Sequence, residues 1–293
     1  MSSNVEIAMK IGVNLWIWGS PFRTDEYLGL IPQIKAWGGE VIELATEDDA
    51  DIDTRAVRQA LDGEGMSASV IGVFGSVRDL SHPDSAVRQN GIDYAKRSVD
   101  TCAEIGATIF SGAVAGVGGG ELLLGDTRQS RINQAAECLR ELGDYSAQAG
   151  VQFVIEILNR YETNFLNTAA EARELINLVN HPSVGIHLDT FHMSHEEKNL
   201  GDAIRQADNK LMHFHGSASH RGTPGTGLVH WDDVATALRD INYDGYVVIE
   251  SFNPRSPIGP LARFWRFFAE SPETLAREGI AFLKGALLGE GER

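Results

Sequence analysis

Four polar residues close short apolar runs in the second half of the chain: Glu156, Asp189, His215 and Glu250. Singly, each has an ordinary alternative as a helix-cap acceptor, a surface residue or a hydrogen-bonded core histidine. Together they place three carboxylates at the ends of buried strands, and such burial is costly unless a cation compensates the charge. A mixed oxygen and nitrogen donor set suits an exchangeable divalent ion better than a closed thiolate zinc site does. The pattern therefore predicts a divalent-metal site.

Further polar side chains follow the same runs. Glu162 follows the first, His192 the second and Arg221 the third. Glu162 and His192 are suited equally to binding sugar hydroxyls and to ordinary loop hydrogen bonds. Arg221 favours a functional role, because a cation beside a carboxylate-rich site can hold an oxyanion. Arg160 is interpreted as an ion-pair partner.

Aromatic residues stand near the ends of the first and last runs. Trp16, Trp18 and Phe252 can form an apolar wall above the metal, or they can be core residues, as most buried aromatics are. Both interpretations stay open.

Two further patterns lie near these positions. The glycine-rich segment 112–120 lacks the spacing and the lysine of a phosphate-binding loop, so we interpret it as a mobile lid. His187 and His213 share a strand face with Asp189 and His215, one layer deeper, and are expected to be hydrogen-bonded core residues.

These residues need alternating strands and helices to position them. Apolar runs typical of buried strands occupy residues 11–16, 41–44, 67–71, 108–111, 151–157, 184–188, 211–215 and 246–249. Helical spacing lies between them, as in 87–105, 132–149, 169–179 and 234–241. Thr168 and Glu171 have the spacing of a capping box that starts one helix. Eight strands alternating with eight helices predict an α/β fold, a (β/α)8 TIM barrel formed as a single domain by residues 1–293.

Composition narrows the classes of partner. The formal charge of −16 disfavours nucleic acid and anionic membranes, and no apolar run is long enough to span a membrane. Cys102 and Cys138 form no C-x-x-C pair and are expected to be reduced, core-facing thiols. Residues 1–10 lack the apolar region of a signal peptide, so a cytoplasmic protein is expected.

Longer motifs surround the polar residues. Residues 155–162 read IEILNRYE, 187–193 read HLDTFHM, 213–215 read HFH, 248–250 read VIE, 79–84 read DLSHPD and 264–266 read FWR. With these motifs the chain resembles the ketose 3-epimerases, the D-tagatose and D-psicose 3-epimerase family of the xylose-isomerase-like barrels. The resemblance runs from about Lys10 to the final helix.

The resemblance implies a site and a reaction. Glu156, Asp189, His215 and Glu250 would bind the metal, with Mn²⁺ expected first and Co²⁺ or Mg²⁺ as alternatives. Glu162, His192 and Arg221 would hold a small-molecule sugar. Glu156 and Glu250 would move protons on opposite faces of carbon 3 through an enediolate. Related enzymes are homodimers or homotetramers, and the aromatic tail 264–268 would pack at an interface or over the active site.

Two departures from the family leave the sugar open. Residues 216–219 read GSAS where a Gly-Glu pair is usual, and the loop after strand four lacks the usual Trp and Pro. A larger or differently substituted sugar would fit the far end of such a pocket.

Three rival interpretations remain. Other sugar isomerases and deglycosidases of this superfamily use the same metal-assisted proton abstraction. A nuclease of the endonuclease IV type needs more histidines and a basic DNA face. A non-catalytic sugar-binding barrel would keep the metal for stability alone.

Overall fold

The computed structural model describes residues 9–289, in which eight parallel strands close into a barrel. The strands are β1 (Lys10–Asn14), β2 (Val41–Thr46), β3 (Ser67–Gly72), β4 (Ile109–Gly112), β5 (Gln152–Glu156), β6 (Val184–Asp189), β7 (Leu211–His215) and β8 (Tyr246–Ile249). Each strand pairs with the next along the chain, and β8 pairs with β1 to complete the ring. The TIM-barrel prediction is confirmed.

Helices surround the barrel within this part of the chain. They are α1 (Thr24–Tyr27), α2 (Leu30–Ala36), α3 (Thr54–Glu64), α4 (Ser85–Ile105), α5 (Gly125–Gln148), α6 (Ala169–Val179), α7 (Thr190–Glu196), α8 (Leu200–Ala207), α9 (Trp231–Asp240), α10 (Ile258–Leu261) and α11 (Pro272–Leu283). The last helix ends in a π-helical turn, Lys284–Leu288. The sequence predicts eight helices and misses three short ones, α1, α7 and α10, because one or two turns carry no readable apolar period.

Individual residues determine where β1 ends and where α6 begins and ends. The first strand ends at Asn14, not at Trp16 as predicted, because the Asn14 side chain accepts a hydrogen bond from the Trp16 amide and caps a 3-10 turn. At α6 the capping box of Thr168 and Glu171 is present, and the helix ends at Asn180 with a φ of 49°. That left-handed residue turns the chain back into β6.

Several other expectations concern the chain as a whole. Cys102 and Cys138 are free and buried, as predicted. Within residues 9–289, no helix combines the length and the apolarity needed to cross a bilayer. The prediction about residues 1–10 lies almost entirely outside the described residues. The cytoplasmic location and the homodimer or homotetramer stay predictions.

Candidate functional site

The four predicted ligands meet at the carboxyl end of the barrel. Glu156, Asp189 and His215 are the last residues of β5, β6 and β7, and Glu250 directly follows β8. Each offers one ligand atom, and these atoms all lie within 4.8 Å of one another. Parallel strands in register produce this convergence: Glu156 is level with His187, and Asp189 is level with His215. This is the face on which TIM-barrel enzymes carry their active sites.

Arg221 supplies a positive charge to this cluster. Its Nη1 atom lies 2.8 Å from Glu250 Oε2 and also donates a hydrogen bond to Asp189 Oδ2. The guanidinium lies over the Phe191 ring, 4.1 Å from its centroid, and the residue is 3% exposed. Burial lowers the pKa of Arg221, but the two carboxylates more than offset this and raise it, so the side chain stays charged.

The carboxylates differ in protonation. Burial and the nearby Glu250 charge raise the pKa of Glu156 well above its usual value. Burial also raises the pKa of Asp189, but Arg221 and His215 outweigh it and hold that pKa well below its usual range. For His215, burial lowers the pKa, but the charges of Glu43 and Glu250 raise it well above 6.5. Without a metal, the cluster is therefore balanced by Arg221, by a proton on His215 and by a proton on Glu156.

Two buried atoms of the cluster test whether a metal ion fits. Glu156 Oε1 and His215 Nδ1 have no hydrogen-bond partner among residues 9–289. His215 Nδ1 also lies 3.5 Å from Asp189 Oδ2 and 3.6 Å from Glu250 Oε2. A divalent cation would satisfy both atoms and replace the two protons that balance the charge. The donor set therefore fits an exchangeable divalent metal.

His192 and Glu162 form a second polar group beside the cluster. Asn159 donates to His192 Nδ1 from its side chain at 2.8 Å and to Glu162 Oε1 at 2.9 Å. His192 Nε2 then lies 3.7 Å from Glu156 Oε1 and 3.1 Å from Arg221 Nη2. Burial and Arg221 lower the pKa of His192 well below 6.5, so the ring is neutral. His192 belongs to α7, although its segment was predicted to be a loop, because Asp189 caps that helix by accepting from the Phe191 amide.

A cavity of about 390 Å³ opens above these groups. Glu156, Glu162, His192, Arg221 and Glu250 line its base, and the rest of the lining is mainly apolar.

Trp16 and Phe252 stack in that lining with ring centroids 5.4 Å apart. Trp18 lies outside the lining, because it stacks on Trp37 and donates to Glu273 Oε1 at 2.9 Å. In the aromatic tail, Phe264 packs on Phe252 at 5.1 Å, which places its ring behind the cavity wall.

The glycine-rich segment 112–120 borders this cavity and is tied to its neighbours. The Gly116 amide donates to Asp79 Oδ2 at 3.2 Å, and the Gly118 amide donates to the Glu162 carbonyl at 2.7 Å. Val117 forms a β-bridge with Thr163. The movement of a lid stays a prediction, and the contacts join this segment to the loop that carries Glu162.

Glu43 is missing from the residues predicted to form the site, although it contacts a predicted ligand. It lies within β2, is fully buried, and accepts from His215 Nε2 and His213 Nε2, each at 2.8 Å. His187 and His213 are buried and hydrogen-bonded, as predicted, the former to Ser111 at 2.7 Å. The sequence does contain one signal for Glu43: a parallel strand that is buried on both faces is normally apolar throughout, so a glutamate within such a strand indicates a special role. Arg160 pairs with Glu196, as predicted.

Comparison with known proteins agrees with this geometry. Residues 31–286 match the family model described as a xylose isomerase-like TIM barrel. The chain is 31% identical over 282 residues to a ketose 3-epimerase of Arthrobacter globiformis, covering 95% of this chain and 97% of the relative.

The structure is also similar to solved structures of ketose 3-epimerases. An L-ribulose 3-epimerase superimposes with a TM-score of 0.89 and 27% identity, covering 95% of this chain and 94% of the other. A D-psicose 3-epimerase crystallised in the presence of D-fructose superimposes with a TM-score of 0.85 and 29% identity, covering 96% and 100%.

Proposed function

The chain belongs to the ketose 3-epimerases of the xylose isomerase-like TIM barrel family, and from this premise we propose that it inverts carbon 3 of a free ketose with the help of a divalent metal. As an epimerase it is an enzyme of the isomerase class. One observation carries the finer proposal: Glu156 and Glu250 contribute to one cluster at the base of the cavity, with ligand atoms within 4.8 Å.

The proposal assigns two groups of residues. Glu156, Asp189, His215 and Glu250 would hold the metal, for which Mn²⁺ is expected first and Co²⁺ or Mg²⁺ are alternatives. When bound, such an ion polarises a ketose carbonyl and so acidifies the neighbouring C–H bond. Glu162, His192 and Arg221 would bind the polar end of the sugar, and Trp16 and Phe252 would contact its carbon skeleton.

Two glutamates are needed for inversion. One carboxylate removes the proton from carbon 3, the C–H electron pair forms the double bond to carbon 2, and the carbonyl oxygen takes the negative charge. The other glutamate, entering as a carboxylic acid, returns a proton to the opposite face. Each turnover exchanges the protonation of the pair.

Arg221 would stabilise the negative oxygen of the enediolate. Its guanidinium is fixed by Asp189 and Glu250 before any substrate arrives, so no reorganisation is needed when charge develops.

The lining of the cavity indicates which sugars would bind. Polar side chains gather at the base, whereas the remaining wall is mainly apolar. Hydroxyls far from the carbonyl would find few side-chain partners there, and an unpaired buried hydroxyl weakens binding. We therefore include in the proposal that ketoses lacking a terminal hydroxyl are accepted at least as well as their parent sugars.

The test is turnover in deuterated water with Mn²⁺ and a panel of ketohexoses, ketopentoses and 6-deoxyketohexoses, followed by NMR. A 3-epimerase forms the carbon-3 epimer with deuterium at that carbon. Exchange confined to carbon 1 would show an aldose–ketose isomerase and contradict the proposal, as would the absence of exchange with every ketose.

Two variants test the paired glutamates. Glu156→Gln and Glu250→Gln should each lower the epimerisation rate by about 10²- to 10⁴-fold. Each variant should still exchange carbon-3 hydrogen in one epimer only, because one base remains on one face. Metal content is measured alongside, and Glu47→Gln is the control, since Glu47 lies outside the cavity lining. Unchanged epimerisation in both variants would refute the two-base mechanism.

A further inference from the structure

Glu43 lies in a fully buried polar layer beneath the cluster formed by Glu156, Asp189, His215 and Glu250. Four side chains donate to its carboxylate. Oε1 accepts from Ser69 Oγ at 2.9 Å and from His213 Nε2 at 2.8 Å. Oε2 accepts from Asn14 Nδ2 at 2.9 Å and from His215 Nε2 at 2.8 Å. All five residues are 0% exposed.

Each oxygen of Glu43 accepts two hydrogen bonds, which is the pattern of an ionised carboxylate. The Asn14 amide is fixed in its orientation, because its Oδ1 atom accepts from the Trp16 amide at 2.8 Å, so Nδ2 must face Glu43. With both oxygens acting only as acceptors, each neighbouring ring nitrogen must present a hydrogen to Glu43.

The consequence falls on His215, whose two ring nitrogens face different surroundings. Nε2 faces Glu43, whereas Nδ1 faces Asp189 and Glu250 and has no hydrogen-bond partner among residues 9–289. We propose that Glu43 is a positioning residue that fixes His215 in the Nε2–H tautomer, directs the Nδ1 lone pair into the cluster, and so sets the metal affinity. This inference rests on the proposed metal-dependent function.

A purely structural role for Glu43 makes a different prediction. Glu43 is level with Asn14 and Ser69 on the neighbouring strands, so its loss weakens the barrel interior whether or not a metal binds. Ser69→Ala is the matched control, because it removes one donor from Oε1 and leaves the contact between Oε2 and His215 in place. A structural role would make the two variants lose stability without a selective loss of metal binding.

The decisive measurement is calorimetric titration of the metal-free protein with MnCl2, without substrate. In Glu43→Gln the amide presents either a donor or a weaker acceptor to His215 and no longer enforces the tautomer. We expect a loss of metal affinity of about 10- to 100-fold, as is typical when such a supporting carboxylate is removed. Ser69→Ala should bind Mn²⁺ within about twofold of the original chain, and urea unfolding of all three metal-free proteins measures stability separately.

The outcomes separate the inference from the proposed function. If the original chain binds Mn²⁺ and Glu43→Gln binds it equally tightly, the inference is overturned and the proposed function stands. If the original chain binds no divalent metal, both fall.

A second measurement needs no variant and applies even if Glu43→Gln does not fold. In the Co²⁺-loaded original chain, proton NMR should show one shifted, slowly exchanging imidazole N–H from His215. A structure of the metal-loaded protein with the ion on His215 Nε2 would overturn the inference.

Discussion

Arg221 determines how the metal-free site tolerates its buried negative charge. It contacts two of the four proposed ligands and is itself 3% exposed. Its backbone has a φ of 64°, an uncommon conformation for a residue with a side chain, so the loop is built to present this group. In the proposed metal-loaded state, the ion and Arg221 would both compensate the charge of Asp189 and Glu250.

Replacing Arg221 should therefore affect stability most strongly without metal. Arg221→Met leaves Asp189 and Glu250 buried without their cationic partner, and such a loss costs about 3–5 kcal/mol of unfolding free energy. Added Mn²⁺ should restore part of that loss, because it compensates the same charges. Urea unfolding with and without Mn²⁺ measures both effects.

Arg221→Lys is the control, since it keeps the charge but loses the planar fork. It should be more stable than Arg221→Met and still show weakened substrate binding. Equal stability of Arg221→Met and the original chain without metal would contradict this account of the site.

At the residue scale, the sequence predicts that the four proposed ligands converge, but it does not predict the buried residue that contacts one of them. Glu156, Asp189, His215 and Glu250 are readable because strand ends converge wherever a parallel barrel closes. Glu43 is not, since its partners Asn14, Ser69 and His213 come from three other strands and meet only in the closed barrel. Nor does a sequence period reveal which nitrogen of His215 faces the cluster.

At the scale of elements, the segment 112–120 connects the cavity wall to the loop of Glu162. Gly116 has a φ of 66°, and a Cβ atom there would lie 2.8 Å from Phe165 Cβ and 2.7 Å from Asn164 Oδ1. Gly119 has a φ of 78° but open space around it. An alanine at either position would strain the backbone, but only an alanine at position 116 would also crowd its neighbours. Comparing the two variants therefore separates the effect of crowding from that of backbone strain.

Gly116→Ala should weaken both folding and substrate binding. The left-handed backbone costs about 1–2 kcal/mol for either alanine variant, and crowding at position 116 adds about 1–3 kcal/mol. Because the Gly118 amide donates to the Glu162 carbonyl, displacement of the segment should raise KM several-fold in Gly116→Ala. Gly119→Ala should keep KM within about twofold. Urea unfolding and steady-state kinetics provide the measurements, and identical KM values would show that the segment does not position Glu162.

Element boundaries show what local sequence can and cannot predict. The bounds of β7, β8 and α6 match the prediction, because apolar runs and a capping box mark them. β1 stops early because of one side chain, Asn14, and α7 begins without a loop because Asp189 caps it. Each of these boundaries depends on one capping side chain, and the spacing of apolar residues over a whole segment does not detect such a single contact.

At the scale of the whole molecule, both cysteines lie in the helical layer around the barrel. Cys102 belongs to α4 and is 0% exposed, and Cys138 belongs to α5 and is 5% exposed. Burial raises the pKa of Cys102 well above its usual value and that of Cys138 to about 11. Since the thiolate is the reactive form, both thiols should be inert at neutral pH.

A thiol-titration experiment tests this packing. The folded chain should react with less than about one tenth of a thiol equivalent at pH 8, and both cysteines should react in guanidinium chloride. Raising the pH from 7 to 9 should increase the folded rate about tenfold per pH unit, because the thiolate fraction grows with pH below the pKa, yet the rate should stay far below that of an exposed thiol. Val77→Cys, at a site 63% exposed, is the reactive control. Rapid reaction of the folded original chain would contradict the packing of α4 and α5.

The site joins residues that follow the first and the last strand of the barrel, so its parts are synthesised at different times. Asn253 donates from its side chain to the Trp18 carbonyl across 235 positions of sequence, and Trp16 stacks on Phe252 beside it. A chain that emerges from the ribosome beginning with β1 therefore holds Glu156, Asp189 and His215 before Glu250 and the second half of the aromatic wall exist. Nascent chains that end before Glu250 lack one of the four proposed ligands, so the proposed metal site can become complete only after synthesis has passed β8.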